Sequence, residues 1–324
     1  MFTVCKKTLA LLALAAHSLL TACTMYDFEV QFEGDSATIT DYKGKSKVVT
    51  IPPKIYGRTV TEIGGVPFFD WKGIAEVTIP NSVTKIGKGA FYGCTELTKV
   101  TIPDSVTELS GFCGCTGLTE INIPNSVTKI GKEAFSGCIR LTDVTIPDSV
   151  TEIGEAAFFG CTGLTDVTIS QSVTKIGEYA FSDCTGLTEI NIPNSVTELS
   201  GFCGCTGLTE INIPDSVKEI GEYAFSSCIR LTEITIPNSV TEIGDHAFGC
   251  TGLTEITIPD SVKEIGEDAF SGCTGLTEIT IPNSVKEIGR SAFKDCTGLT
   301  EISVPKETNC SPDAFPEGCK VTRY

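Results

Sequence analysis

Residues 273–293 read Cys273-Thr-Gly-Leu276-Thr-Glu-Ile279-Thr-Ile281-Pro282-Asn-Ser-Val285-Lys-Glu-Ile288-Gly289-Arg-Ser-Ala292-Phe293, and Cys296 opens the same pattern again. Ile279 and Ile281 alternate with polar residues, and this period of two in β-branched residues predicts a strand with one face buried. Pro282 has no N–H to give to a ladder and ends that strand. Val285 and Ile288 form a second short extended stretch, which Gly289 stops before Ala292-Phe293 turns the chain back. A unit this short cannot bury its own apolar residues, so it needs copies of itself above and below.

The copies are present. Ile-Pro or a close variant recurs at Pro80, Pro103, Pro124, Pro147, Pro193, Pro214, Pro237, Pro259, Pro282 and Pro305, with Ser170 in the one missing slot. The successive spacings are 23, 21, 23, 23, 23, 21, 23, 22, 23 and 23 residues, one structural unit per turn with a period in the leucine-rich-repeat range. The block Thr107–Cys115 returns at Thr197–Cys205, 90 residues later and four whole turns along. Array length is therefore adjustable, which favours an extended surface over one bespoke pocket.

The unit C-x-x-L-x-x-I-x-I-P-x-S-V-x-x-I-G-x-x-A-F resembles the BspA-like class of leucine-rich repeats over about residues 60–305. The resemblance implies a mainly β, right-handed solenoid of about eleven turns of 21–23 residues. It also implies a bacterial cell-surface or secreted protein, since several members bind host matrix proteins or other bacteria. The class has no shared site motif, so no binding residue is carried over. Residues 26–57 resemble the family's N-terminal β cap, which an array requires to keep its first coil from water. Trp71, the only tryptophan, stands three residues before Ile74 where later repeats have a cysteine; it reads as an apolar lid on the stack.

Residues 1–22 contain Lys6 and Lys7, no acid, and an apolar run from Leu9 to Leu20, the pattern of a signal peptide. Leu20-Thr21-Ala22-Cys23 resembles the lipobox of bacterial lipoproteins, which implies a lipid on the Cys23 thiol. The expected organisation is a signal peptide at 1–22, the anchor residue and N-terminal cap at 23–59, the solenoid at 60–305 and a C-terminal cap at 306–324. Removal of the leader takes the net charge from −17 to −19. Such a chain repels nucleic acid and anionic headgroups, so the expected membrane attachment is through the lipid alone.

Ten cysteines occupy one repeat position: Cys94, Cys115, Cys138, Cys161, Cys184, Cys205, Cys228, Cys250, Cys273 and Cys296. Stacked about 5 Å apart with parallel Cβ vectors they are poorly set for bridging and are expected as reduced, buried thiols. A disulfide framework is the rival reading for an exported protein. Cys113 and Cys203 lie outside the ladder. A Cys310–Cys319 bridge would seal the last coil, and the sequence leaves that open.

Two columns of charge run along the array. Two residues after the repeat leucine come Lys99, then Glu120, Asp143, Asp166, Glu189, Glu210, Glu233, Glu255, Glu278 and Glu301. Like charges on neighbouring strands repel unless screened, so this acidic column is either a solvated face or a surface for a basic partner. A second column, Lys85, Glu108, Lys129, Glu152, Lys175 and Glu198, alternates in sign and reads as register support. General-base supply is poor: His246 is the sole histidine after residue 22, in a slot filled elsewhere by Gly89, Glu133, Ala156, Tyr179, Tyr223, Asp268 and Ser291, which reads as a solvent-facing turn. No catalytic, metal or cofactor site is expected. The sequence reads as a non-enzymatic surface lipoprotein of the bacterial outer membrane or cell surface that binds a protein ligand, host extracellular matrix or another cell, through its solenoid face. The alternative is a periplasmic scaffold lipoprotein.

Overall fold

The computed structural model describes residues 27–324. Cys23 and the leader lie outside them. The described chain has no helix and is a parallel β-solenoid built from the turn predicted above. In the turn at 273–296, Glu278–Thr280 forms the first strand and Glu287–Ile288 the second. Glu278 and Thr280 are exposed while Ile279 is 5 % exposed. The Pro282 carbonyl accepts the Val285 N–H at 3.1 Å and closes the bend between the strands.

Two backbone bonds then tie the turn to its neighbours in opposite directions, a pairing shared by the turns that carry this glycine. Gly289 donates its N–H to Ile265 in the turn before at 2.8 Å, and Phe293 donates to Ala314 in the turn after at 2.7 Å. Between them Ser291 sits at φ 54°, as Glu133, Ala156, Tyr179, Tyr223, His246 and Asp268 do at 52–56° in their turns. The left-handed conformation disfavours side chains, yet the paired turns hold it. Gly289 has no such latitude, because a Cβ there would lie 2.6 Å from the Glu267 nitrogen. The two 21-residue turns lack two residues at this corner and have no side chain at the positive-φ position. Leu109-Ser110-Gly111-Phe112 and Leu199-Ser200-Gly201-Phe202 cut the corner through glycines at φ 99° and 96°.

The core is a set of ladders. Phe68, Phe91, Phe112, Phe135, Phe158, Phe181, Phe202, Phe225, Phe248, Phe270, Phe293 and Phe315 stack near-parallel, with ring centroids 4.9–5.9 Å apart. Each fully buried ring stabilises the fold by about 1.5–3 kcal/mol through removal from water. The ladder has twelve rungs, more than the eleven proline slots, because it extends past both ends of the prolines. Parallel pairing likewise begins inside the N-terminal segment, where Val48–Thr50 pairs with Glu76–Thr78, and continues to Lys320–Arg323 on Glu301–Val304.

At the N-terminal end β1 (Phe28–Glu33) pairs antiparallel with β2 (Ser36–Tyr42), which pairs parallel with Arg58–Ile63. Trp71 is half-buried on Tyr42, ring centroids 4.5 Å apart, and Tyr42 packs on Phe68. Tyr42 and Phe28 thus cover the first rung, and Trp71 adds to this lid through Tyr42.

Candidate binding faces

The first strands put the acidic column on one outward face. Asp143 pairs with Asp166, Glu189 with Glu210 and Glu255 with Glu278 in register, and all nine carboxylates from Glu120 to Glu301 are exposed. Neighbouring carboxylates a strand spacing apart repel by about 1 kcal/mol in water, less at physiological ionic strength. Glu301 is the one member of the nine with an ion pair among the described residues, to Lys320 at 3.4 Å. The threonines beside the column are committed to the fold. Thr98, Thr142, Thr165, Thr209 and Thr277 donate their hydroxyls to carbonyls of the preceding turn at 3.1–3.5 Å.

This face is not uniform. Turns at 120–123 and 233–236 keep the sequence pattern but form no strand, and a depression opens at each. One, about 490 Å³, is lined by Lys99, Glu120, Ile121 and Asp143 among others. The other, about 850 Å³, is lined by Glu233, Ile234, Ile236, Glu255, Ile256 and Glu278. Ile234 is half-buried at the second site, whereas Ile211 and Ile256 in the adjacent turns are 7 % and 6 % exposed. The second depression is the larger of the two and sets an acidic rim beside isoleucine side chains.

The second column alternates as expected in the first half of the array. Lys85 pairs with Glu62 at 2.7 Å and Lys129 with Glu152 at 3.0 Å. Beyond Glu198 the alternation stops, and Glu198, Glu219, Glu242, Glu264 and Glu287 stand in register on consecutive turns. Burial, then the charges of Glu242 and Glu198, push the Glu219 carboxyl above the usual range; burial, then Glu242 and Glu287, do the same to Glu264. The change from Val-Thr-Lys-Ile to Val-Lys-Glu-Ile at 217–220, past the Lys85–Glu198 column, is the sequence signal of the switch.

Nine of the ten predicted ladder cysteines are buried as free thiols. Each donates Sγ–H to the phenylalanine carbonyl of the preceding turn, as Cys138 does to Phe112 and Cys184 to Phe158, both at 3.2 Å. Burial pushes the Cys94, Cys161 and Cys205 thiols up to about 12. Cys250, expected in the ladder, lies outside it. It is exposed at φ 57°, because one residue is missing between Phe248 and Leu253 relative to Phe270 and Leu276. Thr251 takes the buried slot and donates its hydroxyl to Phe248 at 2.8 Å. Cys310 and Cys319 are half-buried free thiols. His246 is half-buried, its ring stacked 4.5 Å from Tyr223, and not simply in solvent as the slot suggested.

The model of the BspA type leucine rich repeat region matches in six copies over residues 61–113, 109–203 and 200–322. A leucine rich cell surface protein from Faecalibacterium prausnitzii A2-165 is 32 % identical, with a TM-score of 0.67 over 95 % of this chain and 96 % of that one. The pneumococcal vaccine antigen PcpA is similar in fold, at 22 % identity and a TM-score of 0.58 over 93 % of each chain. A comparison with curated proteins finds no match. Repeat, register and family model agree, and the chain belongs to the BspA-type leucine-rich repeat family.

Proposed function

We propose that the protein is a binding scaffold held at the bacterial surface by a lipid on Cys23, whose acidic column recognises a basic protein surface on a host matrix or a neighbouring cell. The observation that carries the reading is the run of exposed carboxylates, like charges held in register across successive turns and with one ion pair among nine. Repulsion within such a column makes it costly to keep for the fold alone, and a basic partner would relieve it. The depression at Glu233, Glu255 and Glu278 supplies apolar area next to that charge.

The test is to change Glu189, Glu210, Glu233 and Glu255 to glutamine together and measure binding to immobilised matrix proteins against salt. Binding is expected to weaken steeply and lose its salt dependence, because screened attraction sets encounter rate and part of affinity. Thermal stability is expected to stay equal or rise. Unchanged binding with lowered stability would assign the carboxylates to the fold instead. Protease treatment of intact cells separates surface display, where the protein is lost, from a periplasmic scaffold, where it survives.

A further inference from the structure

The end of the solenoid where the chain enters differs from the body in charge and in apolar exposure. Residues 27–100 carry nine acidic and nine basic side chains, whereas residues 101–324 carry 32 acidic and 13 basic. The whole −19 of the chain after Ala22 therefore resides beyond residue 100. At the neutral end Val66, Phe69 and Tyr92 are 60 %, 55 % and 43 % exposed, with Phe69 stacked on Tyr92 at 4.9 Å. The slot of Phe69 and Tyr92 holds Ser136, Ser182, Ser226 and Ser271 in later turns, Phe159 being the aromatic exception. Asp70, within the patch, is paired with Lys72 at 4.0 Å.

This patch lies beside the point where the described chain begins. The Asp27 carbonyl accepts the Lys43 N–H at 2.6 Å, and Tyr42 donates its N–H at 3.2 Å to the carbonyl of Pro67, the residue after Val66. Lys43, Lys45 and Lys47 are exposed in the same loop. Cys23 is four residues before Asp27, a reach of at most about 14 Å.

We infer that Val66, Phe69 and Tyr92 form a membrane-facing foot, on which the anchored protein rests against the lipid surface. The inference rests on the reading that Cys23 carries the lipid. Acyl chains hold a protein to a bilayer but leave its orientation free, and a second apolar contact fixes it. Aromatic rings suit the headgroup boundary. The neutral end with its lysines meets no repulsion there, while the acidic body is driven away from anionic headgroups. The foot thus leaves the acidic column clear of the membrane.

Trp71, the only tryptophan in the chain, is half-buried two residues from Phe69 and reports the contact directly. The full-length protein, processed in a bacterial host, is reconstituted into phosphatidylcholine vesicles with and without brominated acyl chains. Vesicle flotation reads the anchor and loss of Trp71 emission reads the foot. Wild type is expected to float and lose emission in brominated vesicles. The double variant Val66→Ser, Phe69→Ser changes only exposed side chains, and is expected to float equally and keep its emission. Equal quenching of both proteins, or none in either while both float, overturns the foot and leaves the patch to a protein partner. Wild type that does not float overturns the anchor, and the foot with it.

Discussion

The cysteine ladder makes a sharp expectation for alkylation. Iodoacetamide attacks the thiolate, and at pH 8 a thiol held at about 12, as Cys94, Cys161 and Cys205 are, is ionised in about one molecule in ten thousand. An ordinary thiol with a pKa near 8.5 is about one quarter ionised at the same pH. Protonation alone therefore slows these ladder thiols by more than about a thousandfold, before their zero exposure is considered. Cys250 is not buried and stands in solvent on a left-handed turn. Native labelling followed by peptide mass spectrometry should modify Cys250 within minutes and leave Cys94, Cys161 and Cys205 intact until denaturant is added. A ladder cysteine that labels within tenfold of the Cys250 rate, or a Cys250 that stays unlabelled, would refute the placement of Thr251 in the buried slot and the packing argued from it.

Two further outcomes follow from the core and from the second column. Phe181 has rings at 5.3 and 5.6 Å on either side and no exposure, whereas Phe315 is half-buried with one ring against it. Phe181→Ala should cost about 3–5 kcal/mol and Phe315→Ala clearly less by urea unfolding; equal losses would mean the stack does not transmit stability through its middle. Glu219 and Glu264 have raised folded pKa values, so the folded state takes up protons more readily than the unfolded chain. Stability should then fall as pH rises through the carboxylate range and recover on acidification below the raised values. Thermal unfolding followed from pH 7 down through the ordinary carboxylate range should show that rise in wild type and a smaller one in Glu219→Gln, Glu264→Gln; identical slopes would remove the stacked carboxylates as its source.

The turn itself was legible because each of its corners is enforced by a residue with one backbone habit. Pro282 ends the first strand, Gly289 permits the close approach of the preceding turn, and Phe293 fills the core. Cys250 misled because the local motif Cys250-Thr-Gly-Leu253 is intact, and the missing residue shows only in the distance from Phe248. Counting from the phenylalanine, which cannot leave the core, would have found it. The depressions at 120–123 and 233–236 had no such signature, because their turns carry the same pattern as turns that pair. Whether adjacent strands close up depends on the stack around them, and one unit of sequence does not record that. The half-burial of His246 likewise depends on Tyr223 one turn below.

The opposed backbone bonds of such a turn, Gly289 reaching back and Phe293 reaching forward, also constrain how the molecule can change size. Losses of one or two residues are absorbed at a corner, as the 21- and 22-residue turns show, but a larger cut within a turn strands donors on both sides, so changes of reach come as whole coils, as the repeat of Thr107–Cys115 at Thr197–Cys205 indicates. Every coil of the later type imports one carboxylate for each column, as Glu255 and Glu264 or Glu278 and Glu287 do. Reach and charge are therefore geared together: each added coil of this kind leaves the linear charge density of the array unchanged, and a partner that reads that density would meet the same surface on a longer array.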